Sequence, residues 1–246
     1  MDRLLIVPAA GRGSRLGGHG PKALVPVAGR PMLARLLALH RASIDRTVVV
    51  VAPSAMGEFA AFAGRSGDPV DFATQAAPTG MLDAILAATP TVTRVRPTRI
   101  AVTWCDQIAV SATTVHRLRT RALAGDAPAL VFPTVDMNRP YIHFDRDSAG
   151  RIVGVRQQRE GDDMPARGEA DLGLFDLSLE AYLEDLPAFA AQARPASATG
   201  ERNFLPFIPW LAARRAVETI AGASAMEAVG INTPEDLAAI EAHLAR

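Results

Sequence analysis

The residues best suited to chemistry stand near the start of the chain. Between Ala10 and Pro21 the sequence carries five glycines, Gly11, Gly13, Gly17, Gly18 and Gly20, together with Arg12, Ser14 and Arg15. Glycine has no Cβ, so backbone N–H groups in such a stretch can approach the oxygens of a phosphate closely. Lys22 follows directly. Of the 26 basic residues 25 are arginine, and Lys22 is the single lysine. In a chain this rich in arginine and alanine its persistence has two readings. One is chance; the other is a position where a compact ammonium does what a planar guanidinium cannot.

Two familiar phosphate loops can be tested against this stretch. The loop that cradles ATP or GTP needs Gly-Lys followed by Ser or Thr, and the chain reads Gly20-Pro21-Lys22-Ala23. The dinucleotide loop needs glycines at relative positions one, three and six, with an acid ending the second strand. Gly11, Gly13 and Gly17 miss that spacing by one, and the second strand ends in Ala52-Pro53. Neither pattern fits.

The elements that must position the loop follow from hydrophobic patterning. Leu4–Val7 is a short apolar run, read as a buried strand opening into the loop. Met32–Ala42 is apolar at helical spacing, with Pro31 in its first turn. Further strands are expected over Thr47–Ala52, Val70–Thr74, Arg99–Trp104 and Ala129–Pro133. Helices are expected over 55–63 (capped by Ser54), 80–88 and 112–123. This alternation predicts an α/β fold with a doubly wound, mostly parallel sheet. From 139 to 177 the pieces shorten (Tyr141–Asp145, Arg151–Arg156, Asp171–Leu177), which predicts a small mixed or antiparallel insertion. Helices near 178–186 and 203–214, strands at Val217–Ala221 and Glu227–Ile231, and a closing helix capped by Thr233 complete the pattern. Arg194–Gly200 reads as a linker or as a loop over a site.

Composition narrows the function classes. The chain has 246 residues, equal numbers of basic and acidic groups, and a 49% hydrophobic content. Zero net charge argues against bulk attraction to nucleic acid or to a membrane surface. No apolar run approaches the ~20 residues that span a bilayer. One cysteine, Cys105, leaves no internal disulfide and suits a reducing cytoplasm. The five histidines show no metal-ligand spacing.

Three segments carry a more specific resemblance: Ala9-Ala10-Gly11-Arg12-Gly13-Ser14-Arg15-Leu16, Pro21-Lys22-Ala23-Leu24 and Gly29-Arg30-Pro31-Met32-Leu33. They resemble the signature of nucleotidyltransferases that join a nucleoside triphosphate to a sugar phosphate. Within that superfamily the chain looks most like the uridylyltransferase domain acting on N-acetylglucosamine 1-phosphate. Gln75 through Met81 resembles the base-reading Gln-x4-Gly-Thr segment, with Met81 in place of threonine. Trp104-Cys105-Asp106-Gln107 resembles the Gly-Asp-x-Pro element, without its glycine and proline. Glu169 to Phe175 resembles the Glu-x-Asn-x-Gly segment of the sugar pocket, with Asp171 at the asparagine position, and Gly230 to Leu237 resembles the closing motif whose asparagine binds metal.

The resemblance implies a GT-A-like, Rossmann-like fold in one domain, with a nucleotide-binding half over about 1–135 and an acceptor-binding half over about 136–246. It implies that Ala9, Ala10, Gly11, Arg12, Gly13, Ser14, Gln75, Gly80 and Met81 bind nucleotide and that Arg15 and Lys22 act on the phosphates. Glu169, Asp171 and Gly173 fall to the acceptor, and Asp106 and Asn232 to Mg²⁺. Tyr141 either lines the acceptor pocket or packs on a half-buried strand. The acid that touches the sugar in the family aligns with Gln157, while Glu160 lies three residues further on. The implied reaction transfers a nucleotidyl group from an NTP, leaning to UTP, onto a sugar 1-phosphate. A cytidylyltransferase for a non-sugar phosphate, such as an alcohol phosphate, phosphocholine or a molybdenum-cofactor precursor, and a non-catalytic nucleotide sensor stay open. So does a homo-oligomer. The hexapeptide-repeat domain that follows some members is not expected within these 246 residues.

Overall fold

Arg3–Pro8 forms β1, and all six of its residues are buried, as a strand in the middle of a sheet covered on both faces must be. The computed structural model describes residues 3–11, 16, 20–67 and 69–245. After β1 come a two-residue hairpin, β2 (Pro26–Val27) and β3 (Arg30–Pro31), and then α1 (Met32–His40). The chain continues through β4 (Arg46–Val51), α2 (Met56–Ser66), β5 (Val70–Thr74), α3 (Met81–Leu86), α4 (Thr89–Val95), β6 (Arg99–Thr103) and α5 (Ala112–Ala122). The second half holds β7 (Leu130–Asn138), β8 (Ile142–Arg146), β9 (Ile152–Gln157), β10 (Arg167–Asp171), β11 (Leu174–Ser178), α6 (Leu186–Ala190), α7 (Phe207–Ala212), β12 (Val217–Ala221) and α8 (Pro234–Leu244).

The main sheet runs β10-β7-β11-β6-β1-β4-β5, with β12 beside β7. The four strands β5, β4, β1 and β6 are mutually parallel. Strand β11 enters antiparallel to both β6 and β7, and β10 is antiparallel to β7. Alternate residues of β1 serve the two faces: Leu4 and Ile6 join Val48, Val102 and Phe175 in one core, while Leu5 and Val7 join Leu36, Phe59 and Ile240 in the other. The predicted α/β class with a mostly parallel sheet is thus the observed one.

Several local expectations are corrected. Asp171–Leu177 is two strands, because Gly173 takes a left-handed conformation (φ 62°) between them. Both β10 and β11 belong to the main sheet, and of the strands in 139–177 only the β8–β9 hairpin stands apart. Glu227–Ile231 is no strand: a 3-10 turn spans Ala225–Ala228. The Glu227 carboxylate accepts from the Ser111 N–H (2.8 Å), the Ala223 N–H (2.9 Å) and the Thr114 hydroxyl, pinning that turn to α5. Ser54 does not cap α2, because Pro53–Ala55 forms a 3-10 turn ahead of it. Helix α4 is additional, with Pro90 in its first turn where a missing N–H costs nothing.

Within the sheet, Asp176 of β11 is completely buried between two guanidiniums, those of Arg3 on β1 and Arg99 on β6. It pairs with Arg3 and with Arg99 Nε (2.7 Å), and Arg99 also donates to the carbonyls of Pro128 (2.8 Å) and Asp176 (2.9 Å).

Candidate functional site

The parallel strands β1, β4, β5 and β6 end on one side, and the loops leaving them converge there. A crevice beyond the carboxyl ends of such strands is where α/β sheets bind ligands. The Ala9 N–H donates to Val50 O (2.7 Å), which fixes the exit of β1 and commits that donor to the backbone. The Lys22 N–H returns to Gly11 O (3.0 Å) and closes the loop. Arg12, Gly13, Ser14 and Arg15 lie outside the described residues.

Lys22 opens a 3-10 turn that follows Pro21. Its ammonium pairs with Asp106 and donates to Asn232 Oδ1 (2.9 Å). Asp106 sits in the turn after β6, where the Gln107 N–H donates to Trp104 O (3.2 Å). Asn232 is held from the other end of the chain. Thr233 and Asp236 form a capping box at the start of α8, and Asp236 Oδ2 also accepts the Asn232 N–H (2.9 Å). Thr233 being the cap, the Asn232 side chain is left to face Lys22. The Ile231 N–H donates to Asp106 O (3.3 Å), so the two segments touch directly. Three residues from distant parts of the sequence therefore meet at one point.

That point lies on the seam between two cavities. The first, of about 450 Å³, is lined by Ala10, Gly11, Lys22, Gln75 and Gly80. The second, of about 480 Å³, is lined by Gln107, Tyr141, Gln157, Glu160 and Asp171. Met81, Trp104, Asp106, Arg159, Glu201 and Asn232 line both.

In the first cavity the Gln75 amide donates to Gly80 O (2.9 Å). Gly80 has φ 119°, and a Cβ there would stand 2.5 Å from both N and O of Arg202. Those backbone atoms are fixed, since the Arg202 N–H donates to Thr79 O (2.7 Å) and its carbonyl accepts the Leu82 N–H (3.0 Å). The segment read as a linker or covering loop thus leads into a strap over both cavities: Glu201 is held by Arg159 (2.7 and 3.0 Å).

In the second cavity, burial pushes the Asp171 carboxyl up to about 6, against the Gly173 N–H that favours its ionised form. Glu160 Oε1 accepts from Thr199 and Asn203 (2.9 Å each), while its Oε2 and Gln107 Oε1 are buried without partners among the described residues. Tyr141 is half exposed at the wall. Burial, and then Asp106, pushes the Cys105 thiol up to about 12, so it stays protonated beside the site.

Glu169 and Gly173 stand elsewhere. Glu169 forms a bidentate pair with Arg146 (2.6 Å each) and lines neither cavity. Gly173 lines neither; it lets the chain pass Trp104, whose Cδ1 would be 2.5 Å from a Cβ there. Gln107, Arg159 and Glu201 were not singled out in the sequence. Arg159 and Glu201 sit in polar turns with no periodicity and Gln107 in a largely apolar one, and only the adjacency of Glu201 to the 194–200 stretch points to a place over a site.

The residues present suit a cation. Asp106 and Asn232 already aim oxygens at one positive charge, the Lys22 ammonium. Among the described residues no cluster of three His, Cys, Asp or Glu could hold a metal; a hard cation set against two protein oxygens completes its shell from water or a ligand.

A Gly-rich segment follows β1, a lysine stands beyond it and two joined cavities open at the strand ends, in a chain whose sequence places it among the nucleotidyltransferases. The chain belongs to the family described as the MobA-like NTP transferase domain, whose model matches residues 5–170. It is 34% identical over 245 residues to the bifunctional protein GlmU of Cupriavidus taiwanensis, covering 96% of this chain and 51% of that protein. It is 30% identical over 244 residues to GlmU of an Azoarcus strain, again covering 96% and 51%. The chain spans about half the length of these curated relatives. In fold it matches the crystal structure of HddC from Yersinia pseudotuberculosis complexed with GMP-PN, with a TM-score of 0.70 and 18% identity over 99% of this chain and 100% of that one. Among the described residues no helix is long and apolar enough to cross a membrane.

Proposed function

We propose that this chain transfers a nucleotidyl group from an NTP, with UTP favoured, onto a sugar 1-phosphate, releasing pyrophosphate. The observation that carries the reading is the meeting of Lys22, Asp106 and Asn232 on the seam of two cavities. One cavity is of a size and lining to hold the nucleotide, contributed mainly by the first half of the chain. The other, walled largely by the second half, holds the acceptor.

The transfer joins two polyanions in line, so it needs positive charge and positioning rather than covalent catalysis. Gly11 and its neighbours would offer backbone N–H groups to the triphosphate, and Arg15 a planar fork to its β- and γ-oxygens. The Lys22 ammonium would follow the negative charge that develops at the α-phosphate. Asp106 and Asn232 would hold Mg²⁺, which supplies charge neutralisation to the phosphates when bound. Gln75, fixed against Gly80, would present its remaining amide atoms to the base.

A second reading, a cytidylyltransferase for a non-sugar phosphate, is favoured by one observation. The wall of the second cavity carries the carboxyl of Asp171 where the resemblance places an amide. Thermal melting with each of the four NTPs and Mg²⁺ separates the two readings on the nucleotide side, because a bound ligand stabilises the folded state by mass action. The largest rise is expected with UTP. A larger rise with CTP supports the second reading, and no rise with any NTP contradicts both.

A further inference from the structure

Asp106 Oδ2 and Asn232 Oδ1 are the two oxygens that suit a cation, and the Lys22 ammonium stands on both. Each side chain of the Lys22–Asp106 pair is 15% exposed, shielded enough for its charge to count. The guanidinium that borders both cavities, Arg159, is bound instead to Glu201 (2.7 and 3.0 Å). The Lys22 backbone is fixed: its N–H donates to Gly11 O (3.0 Å), and its carbonyl accepts the Val25 N–H (3.1 Å). The flexible stem and its ammonium are the parts free to move. Lys22 lines the first cavity and not the second, whereas Asp106 and Asn232 line both. An ammonium leaving Asp106 thus has the first cavity to move into.

At this contact Asp106 supplies one negative charge and Asn232 none, too little to hold an ammonium and a divalent cation side by side. We infer that Lys22 keeps a divalent cation off Asp106 and Asn232 until the phosphates of a nucleotide draw its ammonium into the first cavity. Cation and nucleotide then bind together, each tightening the other, and a cation offered alone binds weakly. An ammonium suits this exchange because it is a compact point charge, whereas a guanidinium would keep its fork on the carboxylate. The exchange gives a reason for the chain's single lysine to stand at position 22. This inference rests on reading Asp106 and Asn232 as cation ligands and the first cavity as the nucleotide site.

Two measurements on the full chain test it. The first is the affinity for Mn²⁺, an oxygen-seeking ion followed by the paramagnetic resonance of its free form. It is read with and without the α,β-methylene analogue of UTP, after correction for the ion that the analogue holds in solution. In the wild type the analogue is expected to tighten Mn²⁺ binding at least about fivefold. Without the analogue, Lys22→Met is expected to bind Mn²⁺ at least about fivefold more tightly than the wild type, and Asp106→Asn added to it to remove that gain. The second measurement needs no variant and so stands even if Lys22→Met fails to fold. With one lysine in the chain, lysine labelled with ¹³C at Cε gives one side-chain NMR signal. The signal is expected to stay in place in Mg²⁺ alone and to shift when the analogue joins it at the same Mg²⁺ concentration. Equal Mn²⁺ affinity in the wild type and folded Lys22→Met, a gain that survives Asp106→Asn, or a lysine signal moved as far by Mg²⁺ alone overturns the exchange. If the analogue still tightens Mn²⁺ in that case, the reading of the site stands. Mn²⁺ held by no form even with the analogue present overturns the cation site itself, and the exchange with it.

Discussion

Lys22 and Asp106, 84 positions apart in the chain, form an ion pair on the seam between the two cavities, with 15% of each side chain exposed. Asn232 completes the contact from 210 positions beyond Lys22. A pair so placed is available to substrate and shielded enough for its charge to count.

Lys22→Ala should lower turnover ~10²–10³-fold, the loss typical of removing one charge-stabilising donor. Lys22→Arg should recover little of it, because a planar fork does not fit between Asp106 Oδ2 and Asn232 Oδ1 as a point charge does. Steady-state kinetics of both variants check this.

Gly80 leads to a stability prediction. Its φ of 119° and the 2.5 Å approach of the Arg202 backbone leave no place for a methyl group. Gly80→Ala should destabilise the fold by at least about 1–3 kcal/mol from backbone strain, with the clash added. Denaturant unfolding of the variant measures it, and an unchanged midpoint would contradict the packing of the strap.

Asp171 should make stability fall with rising pH. Its carboxyl ionises at about 6 in the folded chain, against 3.8 as the ordinary value. Between those values the folded state holds a proton that the unfolded state has lost. Stability is therefore lost as pH rises through that window, by about 3 kcal/mol at most. The difference between wild type and Asp171→Asn, followed by unfolding from pH 4 to 7, isolates this group. The variant should gain relative stability up to about pH 6 and then level off.

Asp176 offers a test away from the site. Asp176→Asn leaves Arg3 and Arg99 facing each other in the core without a counter-charge. Breaking such a buried arrangement should cost about 3–5 kcal/mol, read as a lowered melting temperature.

How much of this was legible in the sequence depends on the range of the interactions. The parallel half was readable because β1, β4 and β6 are buried runs whose apolar character alone marks them. The capping box of Thr233 and Asp236 was also readable, being local in sequence. The segment Asp171–Leu177 was misread as one strand because its apolar pattern continues across Gly173, and the break is set by packing against Trp104. Glu227–Ile231 looked like a strand from its hydrophobic residues, yet its conformation is set by Glu227 bonding to α5. In the site, Lys22 stood out by composition and Asp106 and Asn232 by resemblance. Arg159 and Glu201 did not, since only the folded chain brings their turns together over both cavities.

The role proposed for Lys22, Asp106 and Asn232 is to join an NTP to a phosphate acceptor across the seam. Pyrophosphate release, measured with Mg²⁺, each NTP and a panel of sugar 1-phosphates and alcohol phosphates, tests it most directly. Release is expected to need both substrates, to be greatest with UTP and a sugar 1-phosphate, and to fall ~10²–10³-fold in Lys22→Ala. Absence of release with every pair, or full release from Lys22→Ala, would contradict it.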